Sequence, residues 1–261
     1  MTDKSFMAGR FARAVRSYDD NASVQRECAV RMADMLQPFW NAYSSGQRPA
    51  CGARFGKVLE LGCGSGILTR MLLDKINPEI LYINDICCEY ETVLEDVLTL
   101  ECVNFIGGDA EKTEFPSRLD MIVSCSAVQW FHDLPAFFDK AAGLLSPGGL
   151  LAVSTFAPGN LYEISELEGP MLEYCTLDTL KNLASGKFGI LASAEDESVL
   201  HFDSARSVLM HMKDTGVTGV RKEFWTKSRF VSFEERYNER FRTDKGLSLT
   251  YRPVWLLASK T

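Results

Sequence analysis

Gly62, Gly64 and Gly66 interrupt the run Val58-Leu59-Glu60-Leu61-Gly62-Cys63-Gly64-Ser65-Gly66 at alternate positions, after an apolar stretch and before Ile67, Leu68, Met71 and Leu72 at helical spacing. Glycine removes the Cβ where backbone must bend sharply or let a ligand approach closely. The run therefore reads as a buried strand turning into a helix around a nucleotide-type cofactor. Its pattern is GxGxG, whereas the dinucleotide fingerprint GxGxxG needs its third glycine one residue later. A phosphate-binding loop would also carry Lys-Ser/Thr, which is missing here. A nicotinamide-dependent oxidoreductase is thereby disfavoured.

Carboxylates follow at the ends of the next two strand-like runs. Asp85 closes Tyr82-Ile83-Asn84-Asp85, nineteen residues after Gly66, where it can accept both hydrogen bonds of a ribose diol. An aspartate there could also cap a following helix, and its place after a glycine loop favours the ribose. Asp109, in Gly107-Gly108-Asp109-Ala110 with Glu111 next, can accept from an exocyclic adenine amine; the alternative is an Asx-turn. After a fourth run comes Ser124-Cys125-Ser126-Ala127-Val128-Gln129-Trp130, which makes Gln129 and Trp130 candidates for lining a reacting centre. Trp130 alone reads as an apolar anchor.

These residues need a frame. Val24, Cys28, Met32, Met35, Leu36 and Phe39 predict an amphipathic helix that Pro38 and the polar segment 44–49 bring to an end. Strand signals at 81–83, 103–106, 119–123 and 150–155 alternate with helical ones at 90–100 and 135–145, the pattern of a doubly wound parallel sheet. Ser146-Pro147-Gly148-Gly149 predicts a sharp turn. Beyond Thr155 the alternation lapses: a helix near 176–183, a strand or hairpin over 188–202, a helical block from Ser204 to about Thr243, and a final strand over 247–259 with an edge or bulge at Pro253.

With 261 residues, 46% of them hydrophobic, the chain can bury one sizeable core, with or without a helical insertion. A net charge of −7 argues against binding nucleic acid through a general basic surface. The eight cysteines, Cys28, Cys51, Cys63, Cys87, Cys88, Cys102, Cys125 and Cys175, show no CxxC pair, and no secretion signal is present, which predicts reduced thiols and a cytoplasmic protein. No stretch approaches the ~20 apolar residues of a membrane span. His132, His201 and His211 form no ligand cluster, so no metal is expected.

Taken together, Glu60-Leu61-Gly62-Cys63-Gly64-Ser65-Gly66, Asp85, Asp109-Ala110 and Leu145-Ser146-Pro147-Gly148-Gly149 resemble the motifs of class I S-adenosylmethionine-dependent methyltransferases. That resemblance implies a Rossmann-like, mostly parallel seven-stranded α/β sheet with helices on both faces and a helical insertion or lid. It implies that Gly62, Gly64 and Gly66 pass under the methionine part, that Asp85 holds the ribose, and that Asp109 with Ala110 reads the adenine. Glu60, Cys63, Ile86, Glu111 and Ser124 complete the implied cofactor-binding set.

The flanks are similar to a narrower family, the malonyl-acyl-carrier-protein O-methyltransferases of biotin synthesis. The similarity lies in residues 11–19 with Ala22 and Gln25, in Ala127-Val128-Gln129-Trp130, Ser154-Thr155-Phe156, His211-Met212-Lys213-Asp214-Thr215-Gly216-Val217 and Leu249-Thr250-Tyr251-Arg252-Pro253. By that likeness Tyr18 closes over the cofactor near the methyl group. Cys125 departs from the family, which usually carries asparagine there. The implied arrangement is an N-terminal helical cap (1–50), a core (51–202 and 247–261) and a helical insertion (203–246).

An acceptor carboxylate with a pKa of about 4 is ionised at neutral pH and needs no general base, so Tyr18, Gln129 and Trp130 are expected to position, not to move protons. Between Arg206 and Lys245 ten basic residues face six acidic ones in an otherwise acidic chain. That excess could steer an acidic acyl carrier protein or be an ordinary solvated helix face. A monomer is expected. Two other readings share residues 55–155: a methyltransferase of a small free acid such as an aconitate-like substrate, and a non-catalytic S-adenosylmethionine-binding module.

Overall fold

The computed structural model describes residues 3–15, 17–44, 56–169, 172–217 and 226–261. Arg16, the polar segment 45–49, Cys51, Arg221, Lys222 and Glu223 lie outside them. Three helices precede the sheet: α1 (Lys4–Ala14), α2 (Tyr18–Asn21) and α3 (Ser23–Ser44). The core then runs β1 (Lys57–Leu61), α4 (Ile67–Ile76), β2 (Ile80–Asp85), a 3₁₀ turn (Cys88–Val93), α5 (Glu95–Leu98), β3 (Val103–Gly107), β4 (Leu119–Cys125), α6 (Leu134–Leu144) and β5 (Leu145–Phe156). There follow α7 (Tyr162–Glu168), α8 (Leu177–Ser185), β6 (Phe188–Glu195), β7 (Ser198–Phe202), α9 (Ala205–Asp214), α10 (Lys227–Phe241), β8 (Arg242–Thr243), β9 (Gly246–Tyr251) and β10 (Pro253–Lys260).

Seven strands form one sheet in the order β3-β2-β1-β4-β5-β10-β6. The first five in that order pair in parallel, and β10 runs antiparallel to both its neighbours. This is the expected mostly parallel α/β sheet. Side chains alternate across a pleated strand, and the alternation divides the apolar residues between two cores. Val58, Met121, Val123, Leu150 and Ala152 join the cluster packed with α3, α4, α9 and α10, while Leu59, Leu61, Ile122, Leu151 and Val153 join the one packed with α6 and α8. The strand order reverses between β1 and β4, and in open α/β sheets ligands bind in the crevice at that switch point.

Several local expectations are corrected. Pro38 lies inside α3 without ending it: Asp34, whose carbonyl the missing N–H would have served, is exposed, so water can serve it instead. The helix expected over 90–100 is a 3₁₀ turn followed by the four-residue α5. Ser146–Gly149 bulges from the start of β5, since Leu145 pairs with Leu119 and Leu150 with Met121, and Gly148 adopts φ 77°.

The last two expected elements divide between sheets. β6 pairs with β10, whereas β7, β9 and β8 form a second, three-stranded sheet, so 188–202 is not a hairpin. The expected final strand is two strands joined at Arg252, with Pro253 as the first residue of β10, a position where proline is tolerated. β10 is therefore internal, and its bulge falls at Leu257/Ala258, not at the proline. Leu247, Leu249 and Tyr251 of β9 bury against Val208 and Met212 of α9 and Phe233 and Tyr237 of α10. Buried His211 bonds the Tyr251 hydroxyl at 2.9 Å, tying α9 to β9.

Candidate active site

A cavity opens at the ends of β1, β2, β3 and β4, the edge of an open α/β sheet where ligands bind. Its floor is the glycine loop. Gly62, Gly64 and Gly66 all adopt positive φ, at 73°, 52° and 84°, a region where a side chain is strained. The loop hangs from the end of β2: the N–H groups of Gly62 and Cys63 donate to the Asn84 carbonyl at 2.8 and 2.9 Å. The Asn84 carboxamide in turn donates to the carbonyls of Ile106 and Gly108 at 2.6 and 3.0 Å. One buried asparagine thus sets the height of both loops that flank Asp85.

Asp85 lines the cavity and accepts from the N–H groups of Gly64 at 2.9 Å and Cys87 at 2.8 Å. Each carboxylate oxygen keeps a second acceptor site for a ligand hydroxyl. Burial pushes its pKa up to about 6, held there by the backbone N–H groups of Cys87, Gly64 and Ile86. Ile86 also lines the cavity.

Asp109 and Ala110, which follow β3, line the cavity on the far side of Asp85 from the glycine loop. Asp109 also makes the Asx-type contact, accepting from the Glu111 N–H at 3.1 Å. Lys4 of α1 donates to Asp109 at 2.5 Å and to Glu111. Partial burial opposes ionisation of both carboxyls, but the Lys4 bonds and charge, with backbone donors, outweigh it and hold both below the usual carboxylate range. Glu111 itself is not on the cavity wall: it accepts from the N–H groups of His132 and Asp133 and so fixes the turn before α6.

Glu60 is buried on the wall beside Cys63 and accepts from the Thr69 hydroxyl at 2.7 Å. Burial pushes its pKa up to about 8 despite that bond, with the Asp85 charge adding to the rise. A carboxyl with a raised folded pKa contributes stability in full below its unfolded value of 4.5 and loses it as pH rises through 8. Glu60→Gln keeps the acceptor for Thr69 and cannot ionise. The variant's melting temperature should therefore exceed the wild type's by a margin that grows from pH 5 to about pH 8 and then levels off, as thermal denaturation across that range would show. A margin independent of pH would show that Glu60 is not neutral in the fold.

The roof comes from the N-terminal helices. Met7 and Phe11 of α1, Tyr18 of α2, and Gln25 and Ala29 of α3 line the cavity with Trp130 and Phe131. Phe11 meets Trp130 edge-on at 5.7 Å between ring centroids. Gly216, at φ 73°, permits this seat, since a Cβ there would stand 2.5 Å from the Phe11 ring. Asp19 of α2 accepts from the Ser65 hydroxyl, tying the roof to the glycine loop. Burial, with Cys125 and Asp85 nearby, pushes the Tyr18 phenol well above its usual range. Burial also pushes the Cys125 thiol up to about 11; its Sγ lies 3.1 Å from the Ser154 hydroxyl.

The structure thus brings Tyr18, Glu60, Gly62, Cys63 and Gly64 together with Asp85, Ile86, Asp109, Ala110 and Trp130. It places four other sequence candidates elsewhere. Gly66 packs beneath the loop, where a Cβ would meet Leu94 at 2.5 Å. Ser124 is fully buried and donates to the Leu61 carbonyl at 2.9 Å, joining β4 to β1. Gln129 donates to the Ser126 carbonyl at 2.7 Å, accepts from Thr155, and faces a separate small cavity beside Tyr174. Glu111 is the staple already described. Missed from sequence were Lys4, Met7 and Phe11, although their three- and four-residue spacing marks one helix face. Asn84 carries no such signal. Among the described residues no group of three or more His, Cys, Asp or Glu is disposed to hold a metal, and no helix is long and apolar enough to cross a membrane.

Residues 59–153 match a family model described as a methyltransferase domain. Over nearly its full length the chain is similar to the malonyl-[acyl-carrier protein] O-methyltransferase of Bacteroides thetaiotaomicron, at 38% identity covering 99% of this chain and 98% of the relative. It is similar also to the enzyme of that name from Acinetobacter baylyi, at 32% identity with 99% and 98% covered. Among solved structures, YcgJ of Bacillus subtilis (TM-score 0.59, 15% identity, 80% of this chain and 94% of that one) shares the fold. So does NodS of Bradyrhizobium japonicum in complex with S-adenosyl-L-homocysteine (TM-score 0.53, 11% identity, 88% and 86%). Identity at these levels over nearly the whole of both chains means that the chain belongs to the malonyl-[acyl-carrier protein] O-methyltransferase family.

Proposed function

We propose that this chain transfers a methyl group from S-adenosylmethionine to the free carboxylate of a malonyl group carried on acyl carrier protein, forming the methyl ester early in biotin synthesis. The full-length kinship to the Bacteroides thetaiotaomicron enzyme carries the reading. The cavity fits the donor: positive-φ glycines where backbone must pass close, Asp85 with spare acceptor sites for a diol, and Asp109 facing the far end. The donor supplies an electrophilic sulfonium methyl. A carboxylate oxygen bonds to that carbon as the sulfur–carbon bond breaks toward sulfur, and no proton moves.

The protein's part is then to orient, to exclude water and to avoid competing. Phe11, Tyr18 and Trp130 cover the cavity, and alignment of reactants can contribute up to ~7–11 kcal/mol. The nucleophiles facing the cavity are held protonated: burial raises Tyr18 and Cys63 and brings Cys125 to about 11. An ionised acceptor carboxylate is thereby the better nucleophile, and self-methylation is disfavoured. Gln129, outside the cavity, supports the reading as a brace for the loop carrying Ser126 and Trp130.

The basic helical block narrows as a docking surface. Arg229 and Arg236 both pair with Glu168, and Arg240 pairs with Glu166, so α7 neutralises much of α10. Arg206 lies over the Phe230 ring and Arg242 bonds the Asn238 side chain, whereas the exposed Lys213, Lys227 and Lys245 make no ion pair among the described residues and are left to meet an acidic carrier protein. Reversing all three to glutamate should raise the Michaelis constant for malonyl-acyl carrier protein about tenfold at low salt and flatten its salt dependence, with malonyl-coenzyme A turnover unchanged. Equal turnover of carrier-bound, coenzyme A-bound and free malonate by the wild type would overturn the carrier-protein reading. Restored growth of a biotin-requiring strain lacking this methyltransferase tests the pathway.

A further inference from the structure

We infer that Gln25 holds the amino-acid end of the methyl donor, its carboxamide oxygen accepting from the α-ammonium while its N–H groups serve the α-carboxylate. The inference rests on S-adenosylmethionine being the donor and not on which acceptor is methylated. Gln25 is 8% exposed, lines the cavity, and leaves its Oε1 buried without a hydrogen-bond partner. Buried polar atoms are rarely left so, because an unpaired acceptor forfeits its water without compensation. The three carboxyls on the wall each have partners within the protein. Glu60 takes the Thr69 hydroxyl, Asp85 takes two backbone N–H groups, and Asp109 takes Lys4.

Position identifies the donor that the oxygen awaits. Across the sheet order β3-β2-β1-β4, Asp109 follows β3, Asp85 ends β2 and the glycine loop follows β1, so a ligand with adenine at Asp109 and ribose at Asp85 carries its amino-acid end toward β1 and β4. Helix α3 packs on α4, β4 and β5, and its Gln25 and Ala29, one turn apart, face the cavity there. Charge selects the same partner. Lys4 is the one basic side chain on the described cavity wall, and it is engaged at the adenine end by Asp109 and Glu111. The donor's α-carboxylate therefore finds no free cation on the described wall, and a carboxamide offers it a donor beside an acceptor for the α-ammonium.

Calorimetric titration of the full-length protein with S-adenosylhomocysteine and with 5′-methylthioadenosine, which lacks the amino-acid end, tests this. Gln25→Met keeps the side-chain length and removes both polar atoms. It should weaken S-adenosylhomocysteine between about tenfold and a hundredfold and leave 5′-methylthioadenosine within about twofold. Gln25→Asn, which withdraws the amide by one methylene, should fall between the two and stands in if the methionine variant does not fold. Parallel loss of both ligands, or an unchanged S-adenosylhomocysteine affinity, overturns the inference. If the wild type binds neither nucleoside, the donor reading itself fails and this inference fails with it.

Discussion

Gly62→Ala is expected to lose S-adenosylmethionine binding by more than about a hundredfold and to destabilise the fold by roughly 3 kcal/mol. Two costs coincide at this position. At φ 73° a non-glycine residue pays the left-handed penalty of ~1–2 kcal/mol. The added Cβ would also stand 2.3 Å from the Ala127 Cβ, far inside contact distance. No flexible side chain can yield, because the obstacle is itself a Cβ fixed to backbone. Relief requires moving either the glycine loop, whose Gly62 and Cys63 N–H groups hang on the Asn84 carbonyl, or the loop after β4; both are cavity wall. Gly64→Ala is the comparison. A Cβ there meets nothing within 4 Å, so stability should fall by only about 1 kcal/mol. Thermal denaturation and calorimetric titration of the two variants separate the cases, and a Gly62→Ala protein with wild-type affinity would refute the close approach of β1 and β4 as the basis of the site.

What could be read from the sequence here was local and short-ranged. The glycine loop, Asp85 and Asp109 sit at strand ends, and short apolar runs alternating with helical ones marked those strands, so the core sheet and the cofactor-facing floor followed together. Long-range partnerships leave no such trace. Nothing in the spacing shows that Glu111 reaches the turn before α6 and not the cavity, or that Ser124 joins β4 to β1 through the Leu61 carbonyl. The misread prolines have one cause. Proline reports only what its own N–H and ring forbid, so Pro38 is tolerated where solvent can serve the carbonyl, and Pro253 marks where the chain leaves one sheet for another. The three-stranded sheet was hidden because β7 and β9 lie far apart in sequence, β7 following β6 and β9 preceding β10 of the main sheet within a few residues.

Asp85→Ala should weaken S-adenosylhomocysteine by about a hundredfold or more, since two charge-assisted hydrogen bonds to the ribose diol are lost at ~1.5–3 kcal/mol each. The pH profile separates this role from a structural one. Burial raises Asp85 from 3.8 to about 6, so its contribution to the stability of the unliganded protein is full below 3.8 and is lost as pH rises through 6, a change on the order of 3 kcal/mol. Ligand binding must run the other way, because only the ionised carboxylate accepts from both hydroxyls. Wild-type affinity should therefore climb as pH rises from 5 to 7 while stability in the absence of ligand loses ground to this residue. Neighbouring groups do not blur the window: Lys4 holds Asp109 ionised through it, and Glu60 titrates nearer 8. Asp85→Asn has the same shape without the proton and should bind weakly with a flat profile over pH 5–7. An asparagine variant that kept the wild-type pH dependence would move the titrating group elsewhere and remove Asp85 from the ribose. The opposed slopes are what a cofactor carboxylate buried for function predicts: the unliganded fold is most stable with the proton on, and the ligand binds with it off.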